Sequence, residues 1–463
     1  MIDEALLDDP ETLRRADAAG DLYALASAGA RVRTAARLAE EAGLGALRPD
    51  GRPRTVLVAG HGVGALCGEL LAAFGGTLCP ILTLRPVTEE PGTGAVWSLP
   101  GWVGPVDLLL LLTPDGGEAG LVSLAQQAYG RGCALAAVAP AGSAVAEAAL
   151  QARGMPLPFV PGAPGGVVAG PGRDAPAGAG GAEQPLPDAA PDAASAELTA
   201  LWPLLVPALG LAERVGVLAL AEDAFSAAAD VLDETAVRCR PDLPVFENPA
   251  KALALQVDGT VPLLWSEGPV ADAAARRFAA AFAARAGRPA LPAMLPEALT
   301  EHAGLLSGSL GMATSADPDD FFRDRVEEPD PLRVRVLMLR PMPDVPPAPE
   351  VEPEEDGPAP GAESPERGFG SGFGSGFGAG SGSGFGSGGG SGYDPRFGPE
   401  LRPGGPLSAQ PALRARRFAE DRQVSVDELV ATRADPLCAL AELIATADFA
   451  AVYAHLAASG RGD

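Results

Sequence analysis

The chain alternates between short, wholly apolar runs and longer stretches in which apolar positions recur at helical spacing. Residues 1 to 45 place Leu6, Leu7, Leu13, Leu22, Leu25 and Val32 at intervals that predict helices, and Gly43 to Pro53 predicts a loop. A strand is predicted over Thr55–Ala59, followed by Gly60 and a helix over Ala65–Phe74. Val106–Leu112 predicts a second strand, which runs into Thr113-Pro114-Asp115-Gly116-Gly117 and a helix from about Ala119 to Arg131. Ala134–Val138 predicts a third, ending at Pro140 before a helix over Ser143–Ala152. Strands that are apolar on both faces and alternate with helices imply a parallel sheet covered on two sides, a three-layer α/β domain.

Residues 160 to 195 consist of Gly, Pro, Ala and Asp with almost no large apolar side chain, which predicts a loop or linker. The same grammar then returns. A helix is expected over Glu197–Val215, a strand over Val261–Trp265, a helix over Ala271–Ala286, a short strand or turn over Pro289–Met294 and a strand over Arg333–Leu339. Pro341 to Glu366 is rich in Pro and Glu, and beyond it Phe-Gly recurs at Phe369, Phe373, Phe377 and Phe385 among Gly and Ser. Such sequence cannot bury enough apolar surface to offset its ordering entropy, so it reads as a flexible tether, with weak self-association through the spaced phenylalanines as the alternative. Helices follow at Ala412–Asp421 and Asp435–Ala457. The latter reads as amphipathic through Leu437, Leu440, Leu443, Ile444, Phe449, Val452 and Leu456, a helix that docks back on the core.

The expected division is therefore an N-terminal helical segment (1–50), a first α/β domain (51–160), a linker (161–196), a second α/β domain (197–340), a disordered linker (341–405) and a C-terminal helical segment (406–463). Much of the excess of Gly (59) and Pro (47) in the 463 residues falls in the two linkers. Sixty acidic against 34 basic residues give a formal charge of -26, which argues against nucleic acid or an anionic membrane surface as partner. The opening Met-Ile-Asp-Glu has acids where a secretory signal carries bases. The longest oily stretch, Leu198–Ala212, is interrupted by Pro203 and Pro207 and is too short to span a bilayer. Five scattered cysteines and three histidines suggest neither a zinc cluster nor a disulfide framework, and a reduced cytoplasm is the expected location.

Four places carry candidate chemistry. Gly60-His61-Gly62-Val63-Gly64 lies between a strand and a helix, where exposed N–H groups favour an anion; it is neither a Walker loop nor a complete dinucleotide fingerprint, and a plain tight turn is the alternative. Thr113 to Leu121 follows the next strand and would border the same crevice, although Asp115 and Glu118 could instead cap the following helix. Lys251, in Asn248-Pro249-Ala250-Lys251, is the chain's single lysine, and an exposed structural role is the alternative to a functional one. Glu297 and His302 put a carboxylate and an imidazole five residues apart, a pair suited to proton transfer, against a reading as a first-turn acid and a surface histidine.

Together with their order and spacing, these segments resemble one family. The chain is similar to the actinobacterial branch of the bifunctional phosphoglucose/phosphomannose isomerases, double sugar isomerase (SIS) domain proteins. The likeness rests on Val56–Leu70, Leu108–Leu121, Ala128–Glu147, Asn248–Ala254, Ala273–Leu306, Ala316–Glu328 and Leu437–Ala457. It implies two SIS-type α/β/α domains, a homodimer, no cofactor or metal, and isomerisation between glucose or mannose 6-phosphate and fructose 6-phosphate through an enediolate. It also implies a sugar-phosphate site at Gly60, Gly62, Gly64, Thr113, Gly116 and Ser266. Against the family pattern, a phosphate-binding serine falls on Gly64, further hydroxyls fall on Asp115 and Glu118, the catalytic glutamate on Ala284 and the histidine on Thr300; Arg173 is a candidate for the interdomain arginine. Catalysis would then depend on Glu297, His302 and Lys251 in a rearranged site. The alternative is a catalytically degenerate SIS protein that binds a sugar phosphate or a protein partner in a regulatory role.

Overall fold

Two parallel sheets, each built around a pair of buried apolar strands, organise the chain. The computed structural model describes residues 2, 4–90, 94–160, 193–307, 333–342 and 409–459, which belong to one compact unit. Most of the expected linker 161–196, nearly all of 341–405, the segment Ala316–Glu328 and Arg173 lie outside the described residues.

Helices α1 (Glu4–Leu7), α2 (Pro10–Ala16), α3 (Asp21–Ala26) and α4 (Ala28–Glu41) open the chain. The first half then runs β1 (Val56–Ala59), α5 (Val63–Gly75), β2 (Ile81–Leu84), an antiparallel ribbon of β3 (Thr88–Glu90) and β4 (Gly94–Val96), β5 (Leu108–Leu112), α6 (Ala119–Gly130), β6 (Ala134–Pro140), α7 (Ala144–Gln151) and β7 (Met155–Phe159). Its five parallel strands lie in the order β2-β1-β5-β6-β7, with Val56 opposite Leu108 and Leu108 opposite Ala134. Alternation divides their side chains. Val56, Val58, Leu110 and Val138 join the main core with α5, while Leu57, Ala59, Leu109 and Ala137 pack with α6 and α7 on the opposite face.

Helices α8 (Ala193–Arg214), α9 (Ala224–Arg238) and α10 (Pro249–Gln256) lead into the second half. There β8 (Thr260–Ser266), α11 (Pro269–Ala281), β9 (Leu291–Met294), the short helices α12 (Ala298–Glu301) and α13 (Ala303–Ser307), β10 (Arg333–Arg340), α14 (Ala409–Glu420) and β11 (Val426–Val430) build a sheet ordered β11-β10-β8-β9, again all parallel. The α/β architecture with two parallel sheets follows the expectation. Pro203 and Pro207 do not interrupt α8. The helix continues through both, held on one side by α4 and on the other by α5.

The last helix, α15 (Pro436–Ser459), departs from the amphipathic pattern read in the sequence. Every residue from Leu437 to Tyr453 is buried, because alanines at 439, 441, 445, 447, 450 and 451 fill the faces between the large side chains and let α9, α10 and α11 approach closely. It docks on the core as expected, but buried on all sides between α3, α9, α10 and α11 rather than along one face. Its length and hydropathy would suit a bilayer, as would those of Ala196–Arg214, but neighbouring helices cover it completely.

Polar residues inside this core have specific partners. Arg277 of α11 donates through Nε and Nη2 to Asp448 of α15 at 3.0 to 3.3 Å, both side chains buried. Burial pushes the Asp448 carboxyl up, and Arg277 pulls it back. Glu442 accepts from Arg238 (2.8 Å) and from the backbone and hydroxyl of Thr432, and Tyr453 donates to the Cys239 carbonyl at 2.6 Å. Removing one member of a buried ion pair strands the other charge. Asp448→Ala should therefore lower unfolding stability by about 3–5 kcal/mol, and Arg277→Leu/Asp448→Leu should recover most of that loss in urea titrations followed by circular dichroism.

Candidate functional site

The carboxyl ends of β1 and β5 are where an open parallel sheet offers a ligand crevice. Here the chain packs against itself. A Cβ at Gly60 would stand 2.3 Å from the Leu112 carbonyl oxygen, and one at Gly64 would stand 2.4 Å from the same atom. The β1–α5 turn is thus pressed onto the end of β5, and no larger residue fits at either position. Gly62, at the N-cap of α5, has φ +47°, and a Cβ there would lie 2.2 Å from Glu197 Oε1. The half-buried Glu197 carboxylate of α8 therefore lies beside Gly62, next to the amino end of α5, a place that favours an anion.

The second loop is also closed by its own groups. The buried Thr113 hydroxyl donates to Glu118 Oε1 at 2.5 Å and accepts from the backbone N–H groups of Asp115 (3.1 Å) and Gly116 (2.8 Å). Glu118 stands at the N-cap of α6, yet its side chain makes no capping hydrogen bond and bonds Thr113 instead. Gly116, with φ +74°, is held against Ser143, whose Oγ would lie 2.4 Å from a Cβ there. Asp115 is exposed. Trp97, 1% exposed, lies over Gly120 and makes an edge contact with the His61 ring at 4.6 Å; its Nε1 and Glu118 Oε2 are buried without hydrogen-bond partners among the described residues.

The remaining candidates fall in the second half and are not drawn together. Ser266, fully buried at the end of β8, donates to Asp272 Oδ1 of α11 at 3.1 Å. Lys251 is neither exposed nor free. Its Nζ donates to the carbonyls of Pro241 (2.8 Å) and Leu243 (2.7 Å) and sits 5.5 Å from the Tyr453 ring, which fastens the 240–245 turn to α10 and α15. Burial pushes its pKa down, with Asp8 and Asp242 opposing. His302 is a core residue rather than a surface one: it is 7% exposed, and its Nδ1 accepts from Trp265 Nε1 at 3.0 Å. Glu297 is exposed at the start of α12 and makes no side-chain cap. Among the described residues no hydrogen bond or ion pair joins Lys251, His302 and Glu297. Ala284 lies in a π-helical segment, Phe282–Ala286, that ends α11, and Thr300 is exposed on α12.

Two further residues, Glu197 and Trp97, reach the crevice from α8 and from the loop after β4. Nothing local to either residue marks an approach from so distant a part of the chain, so the sequence pattern does not single them out.

Comparison with known proteins agrees with this architecture. Residues 246–350 match the model of the bacterial phospho-glucose isomerase C-terminal SIS domain. No curated protein sequence matches the chain. Among solved structures, the fold is similar to that of a hypothetical protein from Thermus thermophilus, with a TM-score of 0.50 at 14% identity, covering 98% of this chain and 89% of the other. A glucose-6-phosphate isomerase like protein from the same organism aligns at 17% identity and TM-score 0.41 over 97% of this chain and 92% of its own. The C-terminal domain of glucosamine-fructose-6-phosphate aminotransferase from Francisella tularensis aligns at 10% identity and TM-score 0.43 over 96% of each chain. Residues 246–350 thus match an SIS domain, within a chain whose overall fold is similar to that of the Thermus thermophilus hypothetical protein.

The environment of His302 sets a pH dependence. Burial lowers its pKa below the ordinary value of 6.5, with Glu301 opposing. Protonating Nδ1 would also remove the acceptor of the Trp265 bond. In the window below 6.5 the unfolded chain takes up the proton more readily than the folded one, so stability rises with pH there and is lost on acidification. Between pH 6.5 and 5 the urea midpoint should fall, with this group contributing at most about 1.4 kcal/mol per pH unit. His302→Gln keeps an acceptor for Trp265 but cannot titrate, and should flatten that slope; an identical slope would exclude His302 as its source.

Proposed function

We propose that this chain is a catalytically degenerate SIS protein, akin to the bifunctional phosphoglucose/phosphomannose isomerases, that works as a regulatory module rather than as an isomerase. The observation that carries this reading is the lining of the first-half crevice by close-packed glycines and carboxylates. The position matching the family's phosphate-binding serine is a glycine pressed against the Leu112 carbonyl, and the Glu197 carboxylate lies beside Gly62 at the start of α5. Enediolate chemistry needs a carboxylate that can take a proton from carbon and a cation to steady the oxyanion. Position 284 offers a methyl group, Lys251 is committed to two backbone carbonyls, and His302 is committed to Trp265.

The ligand class that the resemblance suggests is a hexose 6-phosphate. A carboxylate about 4 Å from a phosphate charge costs roughly 4 kcal/mol at an effective dielectric near 20, so Glu197 weakens such a ligand at the α5 terminus. A second reading, isomerisation through the exposed Glu297, finds support in the π-helical segment Phe282–Ala286, which includes Ala284 at the position of the family's glutamate, since π-bulges often mark functional sites.

Purified protein given fructose 6-phosphate separates the two. The regulatory reading predicts no turnover above a Glu297→Gln control; turnover that is lost in Glu297→Gln would overturn it. In calorimetry with glucose 6-phosphate, mannose 6-phosphate and 6-phosphogluconate, Glu197→Gln should bind at least tenfold more tightly than the unaltered chain, again without turnover. Equal affinities would remove Glu197 from the account of ligand choice.

A further inference from the structure

A groove of about 690 Å³ opens at the other end of the first sheet, where β5, β6 and β7 begin. Its apolar walls include Leu47, Leu108, Met155 and Leu211, from the segment before β1, the strand starts and the end of α8. The volume is in the range of small-molecule sites. Two exposed arginines, Arg52 and Arg153, line it, and neither makes a side-chain hydrogen bond or ion pair among the described residues. The acids at the groove balance them only in part. Asp107 is taken up by Arg54 at 2.7 Å, which leaves Asp50 alone against two guanidinium groups in a chain of net charge -26.

The backbone at Arg153 adds an independent observation. Helix α7 ends in a Schellman turn, in which Gly154 N–H donates to the Ala149 carbonyl (2.8 Å) and Arg153 N–H donates to the Leu150 carbonyl (2.9 Å). Arg153 sits at its left-handed position with φ +57°, where glycine is the favoured residue. The chain therefore keeps a guanidinium at the groove against a backbone preference for glycine.

We propose that this groove is a binding site for an amphipathic anion. The apolar body lies against Leu47, Leu108, Met155 and Leu211, and one phosphate or carboxylate sits with Arg52 and Arg153. The site is at the opposite end of the strands from the glycine-loop crevice and does not depend on what that crevice binds.

The test uses the full chain and calorimetry with 1-naphthyl phosphate, with 1-naphthol and inorganic phosphate as partial ligands. One-to-one binding of 1-naphthyl phosphate is expected, at least tenfold tighter than either partial ligand. Arg153→Gly should weaken it tenfold or more while leaving the thermal midpoint unchanged or raised, and Arg52→Ala should weaken it similarly. A 1-naphthol affinity that stays the same across these variants would assign the loss to the anion contact. Absence of saturable binding, equal binding of inorganic phosphate, or a dissociation constant within twofold of the unaltered chain in Arg153→Gly would each overturn the proposal.

Discussion

The buried pair between Arg277 and Asp448 is the constraint on which the rest of the molecule depends. Arg277 belongs to the helix that follows the first strand of the second sheet, Asp448 to the middle of the C-terminal helix, and both are almost fully shielded from water. A charge pair in such a place is tolerated only when its geometry is satisfied, so it fixes the register of α15 against α11. Arg277 also acts electrostatically on Cys67, a buried residue of α5 whose thiol burial pushes up, and α5 packs directly on α11. The helices after β1 and β8 thus meet beside this pair. A helix as uniformly apolar as α15 could slide or rotate on its partners at little cost. Asp448, Glu442 and Tyr453, each with a defined hydrogen-bond partner, remove that freedom.

That rigidity explains the state of the crevice. With α5 held from behind, its amino end meets the end of β5 at a spacing only glycine tolerates, and the same closeness brings Glu197 onto Gly62. On the proposed reading, acid groups stand where a sugar phosphate would require donors. The strong acidity of the chain, which first spoke against polyanionic partners, becomes a local property of the site: Glu118 and Glu197 supply the negative charge of the crevice from within the protein. The groove at the opposite end of the strands has the reverse character, with two guanidinium groups lacking an acidic partner among the described residues and an apolar floor.

The central strands were legible because continuous apolar runs such as Leu108–Leu112 and Val261–Trp265 have few alternative structures. The outer strands β2, β7 and β11 were not. Ile81–Leu84 is only partly buried, Met155–Phe159 contains two prolines, and Val426–Val430 carries two acids, all features of sheet edges that weaken a strand pattern. Helices α9 and α10 went unread, the former because its alanine-rich core face is easily mistaken for neutral sequence. For the candidate site, the glycines and Thr113 were singled out by position after a strand, and they do lie at the carboxyl ends of β1 and β5. Their chemistry was not, because whether a glycine frees space for a ligand or is filled by a carbonyl depends on the neighbouring strand. The exposed readings of Lys251 and His302 differ from the structure for a related reason: rarity in the composition says nothing about burial, and both side chains are buried.

If the packing of α5 on α11 joins both halves into one cooperative unit, their deepest hydrogen bonds must open together. Native-state hydrogen exchange, followed by mass spectrometry on peptides covering β1 and β5 and on peptides covering β8 and β10, tests this most directly. The account predicts that both sets share the same highest opening free energy and lose it in parallel as urea is added. Protection of the first sheet that persists after the second has exchanged would contradict it.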